Sequence, residues 1–311
     1  MSALSPLSPP FPLPSPSRLT SLLRLPSPVR LSGGTPGPHT PGALLRAAAL
    51  ELSVLVAHLA LYPTGLADER PADEADPAGP SASASPRLPL APPPPIVLLH
   101  GFADNRSVFV LLRRALLRDA DGTARRRTVV SLNYSPLTCD IRAAAESLGR
   151  HVEEVRRRTG ADRVDVVGHS LGGLIARYHV QRLGGDAVVR TLVTLGTPHS
   201  GTRVARPADV HPIVRQMRPG SPVIEELGRP APGCRTRFVA VRSDLDQIMV
   251  PTSTARLDHP DLRVENVLVT GIGHLALPVH PTVTSLVREA LAGTRAYEAP
   301  GAPERAAGTV A

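Results

Sequence analysis

Gly168-His169-Ser170-Leu171-Gly172 is the segment of this chain whose residue types and spacing most clearly point to chemistry. A serine hydroxyl is a weak nucleophile until a neighbouring base takes its proton. The setting singles Ser170 out. The apolar run Val164–Val167 precedes it, and an apolar stretch with helical spacing runs on from Leu171. A strand, a sharp turn and a helix in that order push a serine out of the carboxyl edge of a sheet. So tight a turn leaves no room for flanking side chains, hence glycine at 168 and 172 beside His169, with Gly173 giving further room. The plain alternative is a Gly-rich turn with an incidental serine, and the flanking signals argue against it.

A base and an orienting carboxylate are expected later in the chain, acid first and histidine second. Asp246 lies in Ser243–Pro251 (SDLDQIMVP), just beyond the strand-like Thr236–Val241. His274 lies in Gly271-Ile272-Gly273-His274-Leu275, just beyond the strand-like Val264–Val269. Both stand where ligand crevices form in open α/β sheets, at strand carboxyl ends. Asp244 is the rival acid; Asp246 is preferred because Ile248–Pro251 directly after it can fix the loop against a core. His58, His151 and His179 fall on expected helices, and His259 and His280 precede prolines, so all five read as surface or packing histidines. Two backbone N–H groups should face the developing oxyanion. One is that of Leu171, after the nucleophile, and the other that of Phe102, in the loop His100-Gly101-Phe102 after the apolar Ile96–Leu99. His100 and His199 read as loop braces.

These residues need a scaffold, and the sequence from Ile96 onward supplies one. Ile96–Leu99, Thr128–Leu132, Val164–Val167, Val189–Leu195, Thr236–Val241 and Val264–Val269 are short apolar runs that suit buried strands. Helical patterns at Asn105–Asp119, Ile141–Arg158, Leu171–Leu183 and Pro281–Leu291 separate them. Such alternation predicts an α/β class with a mainly parallel, doubly wound sheet. Thr202–Gly233 has no strand signal, six prolines and two short apolar helical pieces, Ile213–Met217 and Val223–Leu227. It is expected to be a small cap over the site.

The chain's 311 residues divide by proline. Residues 1–95 hold 21 of the 35 prolines, so 1–41 is expected to be disordered and 67–95 an extended spacer. The catalytic domain is expected at 96–293, followed by a disordered tail, 294–311. Between the Pro-rich tracts, within 42–66, lies the apolar segment Ala43–Tyr62, about long enough to span a bilayer but interrupted by Arg46, Glu51 and His58. It suits an anchor or interfacial helix, a helix packed on the catalytic domain, or a displaced targeting segment. A membrane or lipid surface is therefore one expected partner, and membrane-associated or extracellular placement is favoured over cytoplasmic.

All 35 basic residues are arginine, and the net charge is +8. They are dispersed apart from Arg125–Arg127 and Arg156–Arg158, and no aromatics interleave with those triplets, so nucleic acid is not an expected partner. Two cysteines exclude a disulfide scaffold and a four-cysteine metal site; Cys139 and Cys234 could form one bridge or stay free, with a bridge favoured outside the cell. No metal site is expected.

The chain resembles the bacterial triacylglycerol lipases of the α/β-hydrolase superfamily, close to their compact members. Leu98–Phe102, Val166–Gly173, Thr194–Thr202, Asp246–Pro251 and Gly271–Pro278 carry the likeness, spread over residues 96–292. Residues 1–95 have no counterpart in the compact members. The resemblance implies ester hydrolysis through an acyl-enzyme, a triad of Ser170, Asp246 and His274, an α/β-hydrolase fold and no cofactor. A lipase cleaving acylglycerols or other fatty-acyl esters is the favoured expectation, with a monomeric catalytic domain. Short-chain esterase, thioesterase or acyltransferase activity on the same fold stays open, as does a non-catalytic anchored protein binding lipid or cell wall.

Overall fold

A computed structural model describes residues 40–65, 93–102, 104–118, 127–134, 140–205 and 211–293. The expectations for the Pro-rich tracts at 1–39 and 66–92, for Cys139, for Arg125 and Arg126, and for the tail lie outside those residues. Six strands form one sheet: β1 (Ile96–Leu99), β2 (Val129–Leu132), β3 (Val164–His169), β4 (Val189–Leu195), β5 (Arg237–Ser243) and β6 (Arg263–Val269). Their spatial order is β2-β1-β3-β4-β5-β6, and every pairing is parallel. The chain steps outward from β1 to β2, then returns to add β3 on the other side of β1. That reversal opens a crevice between the carboxyl ends of β1 and β3, the loops carrying Phe102 and Ser170.

Alternation along the strands feeds two cores. Val97, Leu99, Val164 and Val166 face α3 (Ile141–Thr159) and α4 (Leu171–Arg182). Ile96, Leu98, Val167 and Val193 face α2 (Val110–Leu117) and α7 (Pro281–Ala292). A sheet buried on both faces accounts for apolar runs without a polar alternate. Helix α3 shows how locally these elements are encoded. The Asp140 carboxylate accepts from Ala143 N–H at 2.7 Å, Gly160 ends the helix at φ 68°, and Arg156 and Arg157 pair with Glu153 and Glu154. That part of the second Arg triplet is a salt-bridged helix face.

Helices α5 (Pro212–Gln216) and α6 (Pro222–Gly228) occupy the expected cap segment. Ile213, Val223 and Leu227 enter the main core beside α3 and α4. Glu226 pairs with Arg142 and accepts from the Tyr178 hydroxyl, and the Ile141 N–H donates to Gln216. The segment is thus anchored in the body of the domain and meets the loop after β1 through His211, whose ring stands edge-on to Phe102 at 5.4 Å.

Helix α1 (Pro41–Leu61) forms over the apolar segment, capped by Thr40 and started by proline. Among the described residues it is the helix long and apolar enough to cross a membrane. It lies against the carboxyl-terminal loops of the sheet. Ala47, Val54 and His58 are buried, and Leu50 packs beside Val54 on the second core. The turn that follows is tied down by Asn105, which donates to Tyr62 C=O, and by Asn133, which donates to Gly65 C=O. The opposite face is bare: Leu45, Leu52 and Leu59 are 72, 63 and 67% exposed.

Candidate active site

Ser170 sits at φ 53° and ψ −120°, the one described non-glycine residue with positive φ. Strain of that kind persists only where the surroundings enforce it. Its N–H donates to Leu195 C=O, and its own C=O accepts from the Thr197 hydroxyl and from Gly173 N–H. The flanking glycines are needed for space. A Cβ at Gly172 would stand 2.5 Å from Leu99 O and 2.6 Å from His100 O; one at Gly168 would meet the Gly173 backbone at 2.6 Å.

Asp246 and His274 come together: Asp246 Oδ2 lies 2.8 Å from His274 Nδ1, with both side chains buried. Because a carboxylate only accepts, Nδ1 carries the proton and Nε2 is left with its lone pair. Asp246 Oδ1 accepts from Ile248 and Met249 N–H, each at 3.0 Å. Asp244 instead accepts from Gly271 N–H and braces the neighbouring loop. Asp246 is thus the carboxylate that meets His274. Met249 is buried, as a loop fixed to the core requires, whereas Ile248 and Val250 are partly exposed.

The pair rises from β5 and β6, while Ser170 rises from β3. The loop of β4 lies between, and Gly196 there has φ 55°. A Cβ on it would stand 2.9 Å from Asp246 Oδ2 and 3.0 Å from His274 Nδ1. A glycine at this point lets the His274 loop lean back across β4 toward the serine. His274 and His169, the neighbour of Ser170, have ring centroids 4.7 Å apart, and His169 Nε2 donates to His274 C=O at 3.2 Å.

Gly101 borders the serine from the β1 side, where a Cβ would lie 3.4 Å from Ser170 Cβ. Phe102 follows it on the same loop. Leu171 opens α4, so its N–H has no intrahelical acceptor. His100 braces the Phe102 loop: its ring stacks on Tyr134, whose hydroxyl donates to His100 C=O at 2.6 Å. Burial lowers the His100 pKa and raises that of Tyr134 well above its usual value. His199 bonds the Thr194 hydroxyl at 3.0 Å, and burial lowers its pKa well below 6.5. Both histidines thus favour the neutral state.

Several residues beside the site carry no motif. Asp104 reaches His169 Nδ1 at 3.5 Å and His58 Nδ1 at 3.8 Å. Burial pushes the Asp104 carboxyl up, but His169, His58 and His100 around it more than offset that and hold it below its usual value. Burial lowers the pKa of His58. Glu51 accepts from Leu275 and Ala276 N–H at 3.1 and 2.9 Å. Of the readings open for Ala43–Tyr62, packing on the catalytic domain is what the structure shows, and the two polar interruptions Glu51 and His58 make the packing contacts. Cys234 is a half-buried free thiol whose pKa burial raises. Among the described residues no group of three or more His, Cys, Asp or Glu is arranged to hold a metal ion.

Residues 94–220 match the family model described as alpha/beta hydrolase fold. Over 113 residues the chain is 31% identical to a triacylglycerol lipase of Pseudarthrobacter phenanthrenivorans, covering 36% of this chain and 35% of that one. It is likewise 31% identical to a triacylglycerol lipase of Burkholderia plantarii, covering 36% of this chain and 31% of the relative. The match thus spans about a third of the length of these curated relatives. Among solved structures, a Bacillus licheniformis lipase in its mature form is similar in fold, with a TM-score of 0.54 at 16% identity, covering 65% of this chain and 94% of that one. Sheet order, strand–turn–helix geometry and the family match agree on an α/β-hydrolase fold, and the chain is similar in sequence to triacylglycerol lipases.

Proposed function

We propose that the chain is a serine carboxylic-ester hydrolase, a lipase that cleaves acylglycerols and related fatty-acyl esters. The observation that carries the reading is the buried 2.8 Å Asp246–His274 pair on the same sheet edge as a serine held at φ 53°. His274 Nε2 takes the Ser170 proton as the hydroxyl attacks the ester carbonyl. The N–H groups of Phe102 and Leu171 stabilise the oxyanion. Asp246 holds the imidazole in the required tautomer and stabilises the imidazolium. His274 then returns the proton to the departing alcohol, and water repeats the sequence on the acyl-enzyme.

The bare face of α1 supports action at a lipid surface. Leu45, Leu52 and Leu59 recur every seven residues, so they form one stripe along the helix. A stripe of that kind suits the boundary of an emulsion droplet or bilayer. Replacing the three by serine should abolish co-sedimentation with emulsified triacylglycerol; undiminished binding would remove the stripe from this role.

The testing experiment is a chain-length series of p-nitrophenyl esters and emulsified triacylglycerols on the full chain, with Ser170→Ala alongside. The substitution should lower kcat by about 10⁴–10⁶, by analogy with serine proteases. Hydrolysis of long-chain emulsions supports the lipase reading, and activity confined to short soluble esters would make the chain an esterase. A loss under tenfold in Ser170→Ala would remove the serine from its role.

A further inference from the structure

Helix α1 touches the candidate active site with side chains as well as with bulk. Its inward face is made of Ala47, Leu50, Glu51, Val54 and His58, a 3.6-residue stripe with two polar members. Both polar members point at the support of His274. Glu51 holds the two consecutive N–H groups directly after that histidine, those of Leu275 and Ala276. His58 faces Asp104, which faces His169, which donates to His274 C=O. The two peptide groups directly after His274 are therefore gripped by groups outside the triad.

The loop is shaped to receive this carboxylate. The three atoms nearest to a Cβ built on Gly273 all belong to the Glu51 side chain, too close to coexist with it. The φ of Gly273 is not in the left-handed region. The glycine is there for space, and what fills the space is the Glu51 carboxylate. A half-buried carboxylate accepting from two main-chain N–H groups is a directional clamp, because charge-assisted hydrogen bonds are roughly twice as strong as neutral ones.

We propose that Glu51 is a positioning residue for the catalytic histidine: docked α1 fixes the His274 loop through the Glu51 carboxylate, setting the imidazole at its working distance from Ser170. This rests on the ester-hydrolase reading above. A helix N-terminal to the catalytic domain thereby completes the active site. The contact links residues more than 220 apart in the chain.

The test uses the full chain, a soluble p-nitrophenyl ester, and kcat expressed per serine labelled at the end point by a fluorophosphonate. Glu51→Ala should lower kcat about 10–100-fold with KM within twofold, the scale on which a displacement of about 1 Å acts. Glu51→Gln keeps one acceptor oxygen and should recover part of the loss. Gly273→Ala fills the carboxylate's space and should cost a similar factor alone, yet add less than threefold in the Glu51→Ala background, because coupled sites are non-additive. A purely structural contact would lower the melting temperature while leaving kcat per labelled serine in place. A kcat loss under fivefold in Glu51→Ala, or full additivity with Gly273→Ala, overturns the proposal. Should Glu51→Ala fail to fold, Gly273→Ala decides, and a kcat loss under fivefold there overturns the proposal. A wild-type chain that is itself unlabelled and inert would instead overturn the ester-hydrolase reading, and the proposal with it.

Discussion

Replacing Asp246 by asparagine should separate the acid's chemical role from its structural one. The two oxygens of Asp246 serve different partners: Oδ1 takes the N–H groups of Ile248 and Met249, and Oδ2 takes His274 Nδ1. An asparagine has one acceptor oxygen and one NH2 to distribute. Two fixed main-chain donors outvote one ring, so the oxygen settles at the Oδ1 position and the NH2 faces His274. The imidazole must then accept at Nδ1 and carry its proton on Nε2, the tautomer that cannot take a proton from Ser170. The expected loss is about 10⁴ in kcat, the scale seen when a triad aspartate is made an amide. Stability should fall by only about 1–2 kcal/mol, the difference between charged and neutral acceptors for two hydrogen bonds. Asp246→Ala should lose about 2–6 kcal/mol, because both N–H groups are left without an acceptor. Asp244→Asn, whose contact is with Gly271 N–H, should stay within a fewfold of wild-type kcat. Steady-state kinetics on a soluble ester with parallel urea melts reads both axes. An Asp246→Asn enzyme within 100-fold of wild type, or one less stable than Asp246→Ala, would refute the tautomer argument.

Three further outcomes are expected. Gly172→Ala should cost about 1–3 kcal/mol, because the added methyl meets the Leu99 and His100 carbonyl oxygens, main-chain atoms that cannot turn away; a wild-type melting temperature would contradict this. Arg177 donates to His199 C=O and Leu227 C=O from a buried position. Arg177→Met should therefore cost about 2–4 kcal/mol, read by urea melts, since two buried carbonyls lose a charged donor. Burial holds the His179 pKa down from 6.5 to about 4, so the folded state disfavours its proton while the unfolded chain binds it near pH 6.5. This contribution is complete above pH 6.5 and is lost as pH falls through 4, about 3 kcal/mol in all. His179→Leu should flatten the dependence of unfolding free energy on pH across that interval; an unchanged slope would count against it.

Much of the scaffold was legible because the signals are local. Ile96–Leu99 and Val189–Leu195 coincide with β1 and β4, and Ile141–Arg158 falls one residue short of α3. Apolar runs bounded by turn residues mark strands of a sheet buried on both faces. Ser170, Asp246 and His274 stood out as candidates for a related reason: each lies at or just beyond the carboxyl end of a strand, and parallel strands present those ends on one edge. The loops gave less. Asn105–Asp119 reads as one helix, but Arg106–Phe109 is a 3-10 turn and α2 begins only at Val110. Thr202–Gly233 reads as a cap because it lacks strands, whereas Ile213 and Leu227 belong to the main core. Asp104 has no signature, since its partners His58 and His169 are tens of residues away. Glu51 and His58 read as blemishes in an apolar segment. With leucine, valine and alanine on nearly every side of α1, no periodicity could reveal which face turns inward; two polar residues seven apart held that information.

The order of the strands has a bearing on how the chain comes to life. Ser170, Asp246 and His274 leave β3, β5 and β6, which are laid down in sequence from the centre of the sheet to its edge. During synthesis Ser170 and the segment of its strained turn emerge while His274 is still being made. Domains fold as units, and His274 lies beyond the last strand in the chain, so it can join Ser170 only once β6 has been made. Assembly of the proposed triad is then a record of complete sheet formation. A chain arrested before β6 should carry a serine that is exposed but chemically silent. Recovery of esterase turnover during refolding should trail the return of helical signal by the time the edge strand takes to dock.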